Sequence, residues 1–250
     1  MIDYASLNGY RVSTVPVSLL RAMNYSHFSS LQVRDGKVRG LALHLDRLDR
    51  SSAEMFGTGL DQDQIRGYLA GVVREVPNAS VRISVVRDLD VLIHATDPVQ
   101  PGTTPLRLRS VEYERDLPHI KHNATLGLTL QAHEAERAGY DDALFTDRQG
   151  FVSEATIWNI CFVTDGTVVW PSAPALPGIM MQLVQAGLRG NFELRPVALD
   201  DVGRYDAAYL TNSIDPALPV RSIDGVTYAD RPDLRAVLLA AYESNPWDEI

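Results

Sequence analysis

Cysteine, lysine, positive charge and long apolar runs are all scarce in this 250-residue chain. The single Cys161 excludes an internal disulfide and any multi-cysteine metal site. No apolar run approaches the roughly 20 residues needed to span a bilayer. The first residues, MIDYASLNGYRVS, lack the basic-then-apolar layout of a signal peptide, so the expected compartment is the cytoplasm. Lys and Arg total 23 against 32 Asp and Glu, a net charge of −9, which argues against general nucleic-acid binding. Neither a Walker nor a Rossmann glycine motif is present.

The lysine shortage is the most informative of these gaps. Only Lys37 and Lys121 are lysines; the other 21 basic residues are arginines. A codon or genome bias is the plain explanation, but a bias that erodes lysine makes each survivor a question. Lys37 follows Asp35-Gly36, a turn, and needs no special reason. Lys121 lies in Pro118-His119-Ile120-Lys121-His122-Asn123. Guanidinium stays protonated, whereas a desolvated amine can lose its proton and attack a carbonyl, so Lys121 is a candidate functional amine.

What is there reads as a mixed chain. Phe28 to Arg34 has strand character, and Leu43 to Phe56 carries apolar residues near helical spacing, ended by Gly57 and Gly59. Asp61 is an N-cap candidate for a helix to Val73, and Val81–Val86 alternates like a strand that Val91–His94 can pair with. The Pro/Gly-rich stretch 98–105 and the irregular 113–123 suggest a boundary. We therefore expect an N-terminal α+β domain over 1–112, an interdomain segment over 113–124 and a C-terminal α/β domain over 125–250. In the last of these, helices are expected at 126–138, 178–188 and 233–242, with strands at 143–146, 157–163, 167–170, 206–210 and 218–223.

Several constellations could carry chemistry. A helix starting at Gly178, after Ala175-Leu176-Pro177, offers unpaired amides to an anion, although an ordinary helix start looks the same. Thr211-Asn212-Ser213 offers small polar groups after a strand, although a plain turn also accounts for it. His44 and Arg47 share a helix face; taken singly, Arg47 reads as a surface ion pair. His119 and His122 have no partner at zinc-site spacing, so no metal is expected. Asp141-Asp142 reads as a turn entering a strand. Glu154 stands among apolar residues and needs a partner: a protonated ring nitrogen or a structural arginine.

These signals fall in an ordered pattern. Lys121 is followed by Gly139-Tyr140-Asp141-Asp142-Ala143-Leu144-Phe145-Thr146-Asp147, by Gly150-Phe151-Val152-Ser153-Glu154, by Asn159 and by Leu176-Pro177-Gly178-Ile179. In this the chain resembles the class IV aminotransferases, the fold-type IV enzymes of pyridoxal 5′-phosphate (PLP), from about Phe28 to Val226. The resemblance implies two α/β domains with PLP in the interdomain cleft, and a homodimer. It implies that Lys121 holds PLP as a Schiff base, that Glu154 pairs with the pyridine nitrogen, and that Arg47 contacts the phosphate. Gly178, Ile179, Met180, Asn212 and Ser213 would complete the phosphate cup, with Asn159 among the cofactor-binding residues. Tyr25, His27 and Gln32 are the expected pocket-lining residues.

The chain also departs from the family. Met181 stands where an arginine is usual, Thr125 and Leu126 occupy a region that commonly holds a tyrosine, and Gln32 replaces a common Arg or Lys. The activity implied is transamination between an amino acid or amine and a 2-keto acid. Aminodeoxychorismate lyase is the alternative, favoured locally by Gly178-Ile179-Met180 and by Asn212-Ser213 with Pro216 and Pro219. A non-catalytic, ligand-binding descendant is a third reading.

Overall fold

The computed structural model describes residues 1–250 and divides into two compact units. The first comprises Met1–Gln100, Ile120–Ala124 and Pro246–Ile250, and the second Pro101–His119 and Thr125–Asn245. This differs from the expected division. Residues 106–112 lie in the second unit because their strand is bonded on both sides within it, while Ile120–Ala124 returns to the first.

The first unit opens with β1 (Asp3–Leu7), β2 (Tyr10–Val12) and α1 (Val17–Ala22), none of them expected from the sequence. Their short, mixed patterns carry no clear period. Then come β3 (Ser26–Val33), β4 (Lys37–Val38), α2 (Leu41–Phe56), α3 (Gln62–Glu75), β5 (Ala79–Val86) and β6 (Val91–Thr96). Five of these strands form an antiparallel sheet in the order β2-β1-β6-β5-β3. Strand alternation sends Leu31 and Val33, with Val81, Ile83, Val85, Ile93 and Ala95, into one core with Leu41, Leu45 and Leu48 of α2 and Ile65, Leu69 and Val72 of α3. The opposite face is largely polar, with Phe28, Ser30 and Gln32 beside Arg82 and His94. Asp61 caps α3 as its position suggests: its side chain accepts from the amides of Asp63 and Gln64 at 3.0 and 3.1 Å. Gly57 ends α2 at φ 79°, a left-handed conformation that glycine adopts without a Cβ clash.

The second unit runs β7 (Leu106–Glu112), α4 (Leu126–Arg137), β8 (Asp142–Thr146), β9 (Val152–Ala155), β10 (Asn159–Thr164), β11 (Thr167–Pro171), α5 (Ile179–Leu188), β12 (Phe192–Arg195), β13 (Ala207–Thr211), β14 (Leu218–Ile223), β15 (Val226–Thr227) and α6 (Pro232–Glu243). Strands β10-β13-β14-β7-β8-β9 follow one another, and β9 pairs back onto β10 through Glu154 and Asn159, closing a ring. Leu108, Leu144, Val152, Ile160, Phe162 and Leu210 belong to one of its cores. A second core joins the sheet to the two C-terminal helices through Cys161, Val163, Trp170, Val184 and Leu238. Met181 packs, partly buried, against that cluster, so an apolar contact stands where the family usually has an arginine. Gly187 brings α5 against the backbone of α6, where a Cβ would collide with the Ala241 carbonyl. The final strand, β16 (Asp248–Glu249), pairs with β4 in the first unit.

Candidate active site

Lys121 is held as an added rung beside the start of β3. The Phe28 amide donates to the Lys121 carbonyl at 2.8 Å, and the Asn123 amide donates to the Ser26 carbonyl at 2.9 Å. His27 and His122 face each other in an antiparallel bridge. The Asn123 side-chain amide also donates to Ser26 Oγ at 2.7 Å, and its oxygen accepts from Arg82. The Lys121 Nζ lies 4.9 Å from the centroid of the Phe28 ring, and the Arg82 guanidinium lies 3.5 Å from the same centroid. Burial of that guanidinium pulls its pKa below the usual arginine value.

On the other face of β3, α2 supplies a second polar group. Arg47 is buried rather than part of a surface ion pair, because its helix face is covered by the sheet. Its Nη2 donates to Ser29 Oγ at 2.5 Å, and Ser29 Oγ lies 2.6 Å from His44 Nδ1. No carboxylate pairs with Arg47, and its Nε has no hydrogen-bond partner. Burial, then repulsion from Arg50, pushes its pKa down to about 9, so it remains a cation at neutral pH. His27 is buried one rung away with Nε2 2.8 Å from Ser52 Oγ, and its Nδ1 has no partner. Burial, then Arg47, lowers its pKa to about 4.

The other two pocket candidates lie differently. Tyr25 is exposed, donates its hydroxyl to the Met55 carbonyl at 2.8 Å and packs edge-on against Phe56. Gln32 is tied to Ser80 Oγ at 2.8 Å and to Arg34 at 3.1 Å. It sits four residues along β3 from Phe28, about 13 Å at strand rise. Gln32 therefore does not neighbour Lys121; Arg82, on the same polar face, does.

In the second unit Glu154 is buried on β9. Its Oε2 accepts the Leu176 amide at 3.1 Å, and its Oε1 lies 3.3 Å from Arg115 Nε, itself buried. Arg115 also donates to the Pro118 carbonyl at 2.5 Å, which ties Glu154 to the stretch preceding Lys121 in sequence. Two residues beyond Glu154, Thr156 donates to the buried Asp142 at 2.6 Å; burial raises the pKa of Asp142. Asn159 donates to the Leu176 carbonyl at 2.7 Å, and its Oδ1 lies where a Cβ on Gly178 would go. Asn159 thus braces the loop that starts α5. Gly178 caps α5 without a side-chain bond, and the Ile179 and Met180 amides belong to a first turn that has no intrahelical acceptors. Asn212 turns its Oδ1 back onto the amides of Ile214 and Asp215 at 2.8 and 3.0 Å, a local turn. Ser213 is half-buried in it, and the Thr211 hydroxyl is buried without a partner. Thr125 precedes α4 without capping it, and Leu126 is exposed. No group of three or more His, Cys, Asp or Glu side chains is placed to hold a metal, and no helix is long and apolar enough to cross a membrane.

Residues 26–223 match the family model for amino-transferase class IV. The chain belongs to the class IV aminotransferases. Among relatives of this family, the branched-chain-amino-acid aminotransferase-like protein 2 of Arabidopsis thaliana is 29% identical over 233 residues, covering 80% of this chain and 41% of its own length. The chain thus spans about two fifths of the curated relatives it matches first. The branched-chain amino acid aminotransferase of Thermobaculum terrenum, solved in its PLP form, superposes at a TM-score of 0.85 with 20% identity, covering 96% of this chain and 92% of its own. A putative 4-amino-4-deoxychorismate lyase of Legionella pneumophila superposes at 0.82 with 18% identity, covering 93% and 96%. The class IV fold is common to both, so it does not discriminate between their activities.

Arg82, Arg115 and Ser29 are candidate site residues that sequence reasoning missed. Arg82 had a signal, a charge on one face of the alternating Val81–Val86 strand. Arg115 had none, since it lies in an irregular stretch and meets Glu154 only through the fold.

Proposed function

We propose that this chain is a PLP-dependent aminotransferase that moves an amino group between an amino acid or amine and a 2-keto acid. The observation that carries the reading is Arg47, a buried cation with no acid partner and an unfilled Nε, bonded to the residue next to the one that holds Lys121. A buried charge without a counterion is costly, and a phosphate offsets that cost. When bound, the cofactor supplies an electron sink for the carbanion formed at the substrate α-carbon.

The residues divide the work. In the first unit Arg47 would bind the phosphate; in the second, the amides of Ile179 and Met180 and the Ser213 hydroxyl are donors suited to an anion. Asn159 holds the Leu176–Gly178 loop so that those amides keep their direction. Glu154 accepts from the ring nitrogen and keeps it protonated. Lys121 would hold the cofactor through its amine and, once the substrate amine has displaced it, would carry the proton to and from the substrate α-carbon. Arg82, stacked on Phe28 near that amine, holds a substrate carboxylate. A homodimer in the cytoplasm is the expected working form.

A second reading, aminodeoxychorismate lyase, is favoured by the Asn212-Ser213 turn followed by Pro216 and Pro219. One set of assays tests both. Protein given PLP should turn yellow, borohydride should trap an adduct on Lys121, and Lys121→Ala should abolish both adduct and turnover. Bleaching by an amino-acid or amine panel selects the transaminase; pyruvate release from aminodeoxychorismate without a keto acceptor selects the lyase. A colourless protein with no adduct on Lys121 would leave only a ligand-binding descendant of the fold.

A further inference from the structure

We infer that Ser29 and His44 are positioning residues for Arg47: a neutral relay that fixes the guanidinium and leaves its charge for a phosphate monoester. This rests on the reading that Arg47 binds the phosphate.

Proton counting sets the direction of the relay. A guanidinium only donates, so in the 2.5 Å contact the Ser29 oxygen accepts. The one Ser29 proton then points to His44 Nδ1, 2.6 Å away. The Ser29 oxygen has a second lone pair and could accept from an Nδ1–H as well, but its own proton would then lack an acceptor, so the relay puts that proton on His44 Nδ1 and the ring proton on Nε2. All three side chains are buried, and burial, reinforced by Arg47, keeps His44 neutral.

The chain shows the alternative arrangement elsewhere. Arg115, equally sheltered, faces the Glu154 carboxylate. At Arg47 a serine and a neutral imidazole stand in that role, which gives direction without cancelling charge. A purely structural pin between β3 and α2 gains nothing from a buried cation that faces no carboxylate. A cation kept ready for an anion does.

The test is binding of PLP and of pyridoxal, which lacks the phosphate, to the full-length apo chain. Ser29→Ala and His44→Leu should weaken PLP binding about tenfold, the size expected for a hydrogen bond to a charged group. Pyridoxal binding should stay nearly unchanged, and His44→Asn, which keeps an acceptor near the Nδ1 position, should restore most of the loss. Equal weakening of PLP and pyridoxal, or no weakening, would overturn the relay while leaving the Arg47 reading intact. Wild-type protein that binds PLP no better than pyridoxal would overturn the Arg47 reading itself, and the relay with it. Imidazole nitrogen NMR on the wild-type protein avoids any folding defect of the variants. It should show His44 protonated on Nε2 only; a proton on Nδ1 would also overturn the relay.

Discussion

Phe28 and Ser29 are adjacent on β3 and serve opposite faces of it. The Phe28 amide holds the Lys121 carbonyl and its ring lies near the Lys121 amine, while the Ser29 hydroxyl accepts from the buried Arg47. A single strand thus fixes the Lys121 amine and the buried Arg47 cation by its alternation.

Arg82 shares the Phe28 ring with Lys121, and this sets an expectation for substrate selection. Arg82→Met should raise KM for carboxylate-bearing donors by about tenfold or more, as for loss of a charge-assisted hydrogen bond. Donors that are simple amines should be little affected. Steady-state kinetics with a matched amino-acid and amine pair checks this.

Arg115 and Glu154 form a buried pair, so removing the arginine takes its cationic partner from a carboxylate that still accepts from the Leu176 amide. Arg115→Met should cost about 1–3 kcal/mol in urea unfolding, the range for losing one charged partner from a carboxylate that keeps another donor. Adding Glu154→Gln to it should recover part of that loss, and a double-mutant cycle gives the coupling.

Two helical glycines should respond in opposite directions. Gly187→Ala sends a methyl into the Ala241 backbone carbonyl, which cannot swing away, so a loss of about 1–3 kcal/mol is expected. Gly67→Ala on exposed α3 meets nothing within 4 Å and should gain up to about 1 kcal/mol from helix propensity. Thermal unfolding of the two variants beside the parent checks the contrast.

Acid should weaken the fold through its buried histidines. His27 has a folded pKa of about 4 against 6.5 for an unperturbed imidazole, and His44 is also lowered. Between those values the unfolded chain binds more protons, so stability falls as pH drops from 6.5 toward 4. His27→Gln, which retains a group for Ser52, should reduce the loss between pH 7 and pH 4.5 by about 2 kcal/mol. The raised pKa values of Asp142 and Asp215 act in the opposite sense in both proteins, so the difference between them isolates the histidine.

Much of this was legible along the chain because it depends on neighbours in sequence. The α2 period, the Asp61 cap, the Gly57 stop and the strand over Val81–Val86 are local preferences, and the structure retains them. Lys121 stood out by composition alone, and the ordered motif around it marked the family. The short N-terminal strands, the β9–β10 closure and the return of β16 to β4 were not legible, since each depends on pairing with a distant segment. The same limit applied to the site. Helical spacing put His44 and Arg47 on one face but could not say that a sheet covers it, so Arg47 read as a surface cation. Alternation put Gln32 and Arg82 on strands, but only strand register brought Arg82 rather than Gln32 beside Lys121. Residue types and local spacing specify which groups are available. Burial and pairing across long loops, which no local preference encodes, set which of them carry an unmet charge.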